Sequence, residues 1–304
     1  MRIDRGTLLL VLGACAISFS GVFVELAQGR AGVAGETSAA WRMLSGGVLL
    51  LALARLAGQP LWSGRRAFVA QCVAALCFTG DLICWHASIL SVGTGLSTLL
   101  ANFQVFGMTI VGVLFLRDRP GPLRLVAIPL ALVGLYLIVG VDWGELGPDK
   151  RSGVALGLLT ACFYTTYLLV LPRTQVRGAA PTHFANMAVI SLLAGLFLSL
   201  HCAGKGLPLL PGSGPSLATG LLLVVAYGLL CQALGQVLLY KGRLLSAPSK
   251  TGLVILLQPT LAYVWDPLLF GRDLGPRQVL GAGLAVFAIW LGAFGGLARR
   301  ARAT

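Results

Sequence analysis

The sequence is poor in charged residues, and acidic ones are the scarcest: ten Asp and Glu stand against 23 Lys and Arg in 304 residues. Charged residues make up 11% of the chain, whereas soluble domains carry roughly a quarter. This shortage excludes an ordinary soluble fold. A hydrophobic fraction of 57% and a mean hydropathy of +0.87 indicate a membrane protein instead.

The chain also lacks the motifs of several functional classes. It has no Walker-type phosphate loop, no His-Glu-x-x-His zinc motif and no Gly-x-Ser-x-Gly nucleophile elbow. Its seven cysteines lie within apolar runs without the spacing of metal ligands or of a disulfide framework, so we interpret them as reduced packing residues. We predict no metal and no cofactor.

The net charge of +13 would suggest nucleic acid as a partner in a soluble protein. Here the basic residues occur singly or in pairs between apolar runs, so membrane topology explains them better, and we predict no nucleic-acid partner. If the N-terminus is cytoplasmic, most of the 23 Lys and Arg fall in cytoplasmic segments.

Long apolar runs, separated by charged or Gly- and Pro-rich breaks, dominate the chain. About 20 apolar residues cross the hydrocarbon layer as a helix, which satisfies its own backbone polar groups. We therefore predict an all-α membrane protein with ten transmembrane helices, both termini in the cytoplasm and no soluble domain. The predicted spans are residues 7–27, 37–57, 67–90, 94–116, 122–140, 152–171, 182–203, 216–240, 248–270 and 276–297.

The two halves of the chain resemble each other weakly. A shift of 155 residues places Ser91 on Ser246, and a shift of 147 places Gly6 on Gly153. With five spans in each half, the second half begins on the opposite side of the membrane. We predict two inverted five-helix repeats, residues 1–145 and 146–304, an arrangement typical of secondary transporters that bind substrate near the midplane.

Several segments carry a likeness to a known family. They are Trp41-Arg42, Asp81 to Ile89, Thr98 to Asn102, the Phe-Leu-Arg-Asp-Arg-Pro ending of the fourth span, Leu256 to Pro259 and Phe270 to Gly281. In their order and spacing they resemble the EamA branch of the drug/metabolite transporter superfamily, and the likeness covers essentially the whole chain.

This resemblance implies a transporter of small metabolites in a bacterial cytoplasmic membrane, commonly an exporter of amino acids or related compounds. Its partners are then the small-molecule substrate, the lipid bilayer and possible coupling protons, and a complete inverted pair in one chain permits a monomer or a homodimer. Two alternatives stay open. An intramembrane enzyme would need a catalytic constellation, and a lipid flippase would need a cavity that opens sideways to the bilayer.

Ionisable groups inside a membrane span are costly, which makes Asp81 the first candidate for function. Trp85 lies one turn further on the same face, and the corresponding positions of the second half are Gln236 and Tyr240. We predict Trp85 and Tyr240 as aromatic walls of a cavity and Gln236 as a polar contact. Asp81 either takes a proton or meets a substrate cation. The structural alternative is an acid that a partner neutralises in order to hold helices together.

Arg42 lies a turn and a half inside the second span and cannot lose its proton, so it needs a partner. Glu25 and Asp81 are the predicted partners, as a structural clamp or as a gate. Alternatively, Arg42 binds a substrate carboxylate in a bidentate manner.

The remaining candidates are polar or aromatic side chains within predicted spans. Asn102 and Gln258 are predicted polar contacts, and Tyr164 a predicted aromatic wall. His86 either helps to couple transport to protons or bonds a backbone group. Asp266 either faces the centre of the molecule or simply reaches external water.

Overall fold

The computed structural model describes residues 4–115, 122–139, 147–174, 182–246, 254 and 257–300, and its regular elements in these ranges are helices. A 3-10 turn (Leu171–Thr174) follows α8, and a π-helix (Gly228–Leu234) joins α10 to α11. The α-helices are α1 (Arg5–Ser18), α2 (Ser20–Ala31), α3 (Gly35–Leu56), α4 (Arg65–Val92), α5 (Thr94–Ala101), α6 (Gln104–Phe115), α7 (Pro122–Val139), α8 (Pro148–Val170), α9 (His183–Gly204), α10 (Ser216–Tyr227), α11 (Gly235–Leu244), α12 (Leu257–Phe270) and α13 (Pro276–Arg300).

Six helical stretches of the described residues are long and apolar enough to cross a membrane, which confirms an all-helical, multi-pass architecture. Two shorter apolar helices are Leu125–Gly134 and Pro276–Leu291. The six stretches are Arg5–Ala31, Gly35–Leu56, Arg65–Val92, Pro148–Thr174, His183–Gly204 and Ser216–Gly242.

Some predictions fall on parts of the chain outside the described residues. These are the ends of the fourth and fifth predicted spans, the charged ending of the fourth, the boundary between the predicted halves at 145 and 146, and the start of the ninth span at 248.

The outer surface of the helices is apolar. Leu222 of α10 is 70% exposed, Leu132 of α7 is 55% exposed, and Leu76 of α4 is 55% exposed. In a soluble protein such a surface would be an aggregation hazard. Around a membrane protein it contacts acyl chains, which agrees with the composition.

The helices pack in pairs that are far apart in sequence. The most extensive contacts join α7 to α13, α4 to α8, α3 to α9, α1 to α11, α3 to the π-helix, and α5 to α12. Small residues allow close approach at these contacts. A Cβ on Gly153 of α8 would lie 2.5 Å from the Ser91 Cβ of α4, so no larger residue fits there unless the helices move apart.

Three helical stretches are interrupted near their middle, and these breaks position the polar residues described below. Phe19 separates α1 from α2, Asn102 and Phe103 separate α5 from α6, and the π-helix widens the stretch between α10 and α11. The connection from α4 to α5 consists of Gly93 alone, whose φ of 92° suits glycine.

Candidate functional site

A cavity of about 170 Å³ lies among the interrupted helices. Polar side chains and aromatic rings from α1, α2, α3, α4, α8, α11 and α12 and from the break between α5 and α6 surround it. Its lining residues are Ile17, Ser18, Ser20, Arg42, Phe78, Asp81, Leu82, Trp85, Thr98, Ala101, Asn102, Gln104, Thr160, Tyr164, Gln236, Leu239 and Gln258.

The helix breaks place several of these side chains at the cavity. At the α1 break, the Ser18 hydroxyl donates a hydrogen bond to the Cys15 carbonyl at 2.7 Å. At the α5 break, the Asn102 amide Nδ2 donates to the Thr98 carbonyl at 2.7 Å. Side chains that bond the preceding helical turn compete with the backbone ladder and favour bends. The interruptions expose polar groups where a straight apolar helix would offer none.

Asp81 is 6% exposed and belongs to the cavity wall, as does Arg42, which is also 6% exposed. Within the described part of the chain, the Asp81 carboxylate takes part in no hydrogen bond or ion pair. The cavity thus brings together a carboxylate and a guanidinium that lie more than 4.0 Å apart. A ligand with two charged groups would be able to contact both.

Arg42 has different partners from those predicted. Its Nη1 atom donates to the Tyr227 hydroxyl at 2.9 Å. Its Cζ lies 4.9 Å from the centroid of the Tyr227 ring and 5.9 Å from that of Trp85. The expected ion pair with Glu25 or Asp81 is therefore wrong, because a phenol and two aromatic faces stabilise the cation instead. The Arg42 Nε atom is buried and has no hydrogen-bond partner among the described residues.

Glu25 and Asp266 lie away from the cavity and share one partner. Arg272 Nη1 is 2.7 Å from Glu25 Oε1 and 2.7 Å from Asp266 Oδ1. Asp266 also accepts the backbone N–H groups of Thr94, at 3.2 Å, and Gly95, at 2.7 Å, at the start of α5. We call these five residues the Arg272 cluster.

Neither alternative for Asp266 matches the structure, since Asp266 is only 4% exposed and does not line the cavity. Its negative charge instead stabilises the N-terminal end of α5, where backbone N–H groups have no partner within the helix. Partial burial acts to lower the pKa of Arg272, but its bonds to the two carboxylates raise that pKa above its ordinary value. Arg272 consequently stays cationic.

His86 is fully buried beside the cavity but does not line it. Its Nδ1 atom is 2.7 Å from the Leu82 carbonyl, one turn earlier on α4, and its Nε2 atom is 3.4 Å from the Tyr227 hydroxyl. The ring also meets Trp85 edge to face, with centroids 5.1 Å apart.

Tyr240 does not line the cavity, although the sequence predicted an aromatic wall there. Its ring stacks on His183 with centroids 3.9 Å apart and an interplanar angle of 3°, and it meets Phe184 edge to face. These two residues begin α9, so Tyr240 packs against a neighbouring helix near its end. Gln236, one turn earlier on α11, does line the cavity.

Seven of the predicted site residues line the cavity: Asp81, Arg42, Trp85, Asn102, Tyr164, Gln236 and Gln258. The sequence reasoning missed Gln104 and Ser20, which line the cavity, and Tyr227, which contacts Arg42. Each is a polar residue inside an apolar run, which was the signal available. Gln104 Oε1 and Thr98 Oγ1 are buried without hydrogen-bond partners among the described residues.

No group of three or more His, Cys, Asp or Glu within the described ranges is arranged to hold a metal ion.

Comparisons with known proteins identify relatives of this chain. The model of the EamA-like transporter family matches residues 4–140 and again residues 151–293. A protein of Synechocystis sp. (strain ATCC 27184 / PCC 6803 / Kazusa), described as uncharacterized transporter sll1319, is 28% identical over 215 residues. That match covers 69% of this chain and 62% of the relative, so the chain spans less than two thirds of the relative's length.

A solved structure described only as a crystal structure of a protein has a related fold. It matches with a TM-score of 0.65 and 16% sequence identity, over 97% of this chain and 98% of the other. At this identity, the likeness shows the fold alone.

Proposed function

The chain belongs to the EamA-like transporter family and is a membrane transporter, and on this basis we propose that it exports a small zwitterionic metabolite, foremost an amino acid. The observation that carries the proposal is the presence of Asp81 and Arg42 in the wall of one cavity without an ion pair between them. Burying an unpaired carboxylate and an unpaired guanidinium each costs free energy. A substrate that pairs with both charges offsets that cost.

In this proposal, Arg42 binds the substrate carboxylate and Asp81 binds the ammonium group. A guanidinium presents planar donors that match a carboxylate. Asn102, Gln236 and Gln258 supply neutral hydrogen-bonding groups around the two charges. The cavity is small, which favours a substrate the size of an amino acid.

The side chain of the substrate lies against the aromatic part of the wall. Trp85 and Tyr164 line the cavity together with Phe78 and Leu82. This surface favours an apolar or partly apolar side chain over a strongly charged one. Because none of the described residues hydrogen-bonds the Asp81 carboxylate, Asp81 is also the group that would take a proton if transport is coupled to protons.

We propose that ten spans in two inverted repeats, residues 1–145 and 146–304, carry out alternating access. The helix pairing supports this organisation. If the first five predicted spans correspond to the second five, the contact of α4 with α8 corresponds to the contact of α11 with α1. The contacts α3 with α9, α5 with α12 and α7 with α13 then join equivalent spans, as a twofold relation in the membrane plane requires.

Two glycine contacts support the same correspondence at the level of residues. A Cβ on Gly6 would lie 2.5 Å from Ser246 Oγ, and a Cβ on Gly153 would lie 2.5 Å from the Ser91 Cβ. The sequence shifts relate Gly6 to Gly153 and Ser91 to Ser246. The contact of Gly6 with Ser246 in one place is thus the counterpart of the contact of Gly153 with Ser91 in the other, and each joins segments that are far apart in the chain.

The proposed orientation in a bacterial inner membrane has both termini in the cytoplasm, which follows from the distribution of Lys and Arg. Single cysteines introduced into a variant without the native cysteines test it. A cysteine in place of Ser213, in the exposed loop before α10, is then expected to react with an impermeant maleimide from outside intact cells, whereas a cysteine in place of Thr304 is not. Labelling of both positions from the same side would contradict this topology.

Substrate specificity is tested with the purified protein in liposomes. Counterflow is measured with a panel of L-amino acids, each compared with the amine that lacks the carboxylate and the acid that lacks the ammonium group. We expect the zwitterion to be transported, and each singly charged analogue to bind about ten- to hundredfold more weakly, because each leaves one buried charge unpaired. Equal binding of an amine and its amino acid would refute the role of Arg42.

A further inference from the structure

We infer that Tyr227 and His86 are positioning residues that hold the Arg42 guanidinium at the cavity through a directed relay of hydrogen bonds. This inference rests on the proposed function of Arg42 as the carboxylate site. Neither residue lines the cavity, so neither would contact the substrate directly.

The chemistry of the partners sets the direction of the relay. The Leu82 carbonyl can only accept, so His86 Nδ1, at 2.7 Å, carries the proton and donates it. The Nε2 atom of the neutral imidazole is then an acceptor. At the other end, Arg42 Nη1 can only donate, so the Tyr227 oxygen accepts at 2.9 Å. The Tyr227 hydrogen is left for His86 Nε2.

The 3.4 Å contact between Tyr227 and His86 is the longest link. The relay therefore runs from Arg42 through Tyr227 and His86 to the Leu82 carbonyl, and each of its three links pairs a donor with an acceptor. Reversing any link would set two donors or two acceptors against each other.

Burial makes this arrangement selective for one position of the guanidinium. Tyr227 and His86 are both 0% exposed, and Arg42 is 6% exposed. Where water has no access, a polar group that leaves its partner finds no replacement. Arg42 therefore keeps its position while the cavity is empty, which lowers the free energy needed to order it when a substrate binds.

The backbone around Tyr227 brings its hydroxyl within reach of Arg42. Tyr227 ends α10, and the π-helix begins at Gly228. A Cβ on Gly228 would lie 2.6 Å from the Arg42 carbonyl oxygen and 2.9 Å from the Gly46 backbone nitrogen. Only glycine permits this approach of the π-helix to α3. Short π-helical segments recur at functional sites, and here one adjoins the residue that holds Arg42.

The relay links three helices through side chains. Arg42 belongs to α3, His86 to α4 and Tyr227 to α10. The Tyr227 ring is further packed parallel to Phe23 of α2, with centroids 5.7 Å apart and an interplanar angle of 12°. The loss of the phenol hydroxyl alone would thus leave the ring in place.

The test compares Tyr227→Phe with Tyr167→Phe in liposomes. Tyr167 is also buried and stacks on a phenylalanine, Phe78, but lies outside the relay and the cavity lining. We expect Tyr227→Phe to raise KM for the zwitterion about tenfold with little change in maximal rate, because it weakens a hydrogen bond to a charged group. Tyr167→Phe should leave KM unchanged.

His86 offers a rescue experiment. The amide of His86→Gln can provide an acceptor near the position of Nε2, whereas His86→Leu cannot. We expect His86→Leu to raise KM as Tyr227→Phe does, and His86→Gln to restore at least part of the wild-type value. Equal KM values for Tyr227→Phe, His86→Leu and the wild type would overturn the relay and leave the proposed substrate class standing.

A second measurement does not depend on transport. Glyoxal modifies arginine side chains, and mass spectrometry of the digested protein reports the rate at Arg42 separately from other arginines. We expect faster modification of Arg42 in Tyr227→Phe than in the wild type, with Tyr167→Phe unchanged. If the wild type binds no zwitterion but this difference appears, the proposed substrate is wrong and the relay stands. An unchanged rate at Arg42 would contradict the relay.

Discussion

Arg272 Nη1 lies 2.7 Å from Glu25 Oε1, and this ion pair joins the loop after α12 to the end of the first membrane-spanning stretch. The Arg272 cluster lies one helical turn along α5 from Thr98, a cavity residue. In the proposed topology the cluster lies on the external side of the cavity.

The first prediction concerns Asp266, whose carboxylate accepts two backbone N–H groups and the Arg272 side chain. We expect Asp266→Asn to lower the free energy of unfolding by about 1–3 kcal/mol, because buried bonds to charged groups are lost. Thermal unfolding in detergent measures it. Asp273→Asn is the matched control, since Asp273 is exposed in the same loop. Equal changes in the two variants would show that the cluster contributes nothing.

The second prediction concerns the coupling of Glu25 and Arg272. Glu25→Gln and Arg272→Gln should each lower the free energy of unfolding. The double variant should lower it by less than the sum of the two single losses. We expect a coupling of about 0.5–1.5 kcal/mol, modest because the Arg272 side chain is 37% exposed and thus partly screened. A double-mutant cycle from chemical unfolding gives the value, and strictly additive losses would argue against the pair.

The third prediction separates stability from transport at Asp81. Asp81 is buried without a hydrogen-bond partner in the described part of the chain, so Asp81→Asn should leave the unfolding temperature unchanged or raise it. Transport should fall at least tenfold or lose its dependence on a pH gradient, because the charge that meets the substrate or the proton is gone. Liposome flux at several pH values measures this, and wild-type flux throughout would exclude the role.

The fourth prediction compares two tyrosines. Tyr164 lines the cavity, whereas Tyr240 stacks on His183. We expect Tyr164→Leu to change the relative KM values for aromatic and aliphatic amino acids and Tyr240→Leu to leave that ratio unchanged. Competition assays in liposomes give the ratios. A shift in the ratio for Tyr240→Leu alone would place the substrate on the other side of α11.

The membrane class and the positions of the helices could be predicted because they depend on local composition. The predicted spans 37–57 and 67–90 correspond closely to Gly35–Leu56 and Arg65–Val92. A run of about 20 apolar residues has no other stable structure in a bilayer than a helix, whatever its neighbours are. The helix breaks at Phe19 and Asn102 and the π-helix before Gly235 carry no comparable pattern, and the predicted spans 7–27, 94–116 and 216–240 run through them without interruption.

Part of the site could be predicted because polar residues stand out against the apolar composition of the spans. Polar residues inside apolar runs are few, and seven of the predicted site residues line the cavity. Which of them touch could not be read from the chain. Asp266 was predicted to face the centre of the molecule or to reach external water, yet it contacts Arg272 and the start of α5 instead.

The sequence by itself determined that this chain is a multi-pass helical membrane protein and that Asp81 and Arg42 lie within its spans, because burial in lipid is decided residue by residue. Only the tertiary structure decided that Arg42 bonds Tyr227, that Glu25 belongs to Arg272, and that Tyr240 turns from the cavity to His183. Those partners depend on how each helix is rotated, bent and paired with helices distant in the chain, and side-chain contacts change completely with a rotation that leaves the hydrophobic pattern almost the same.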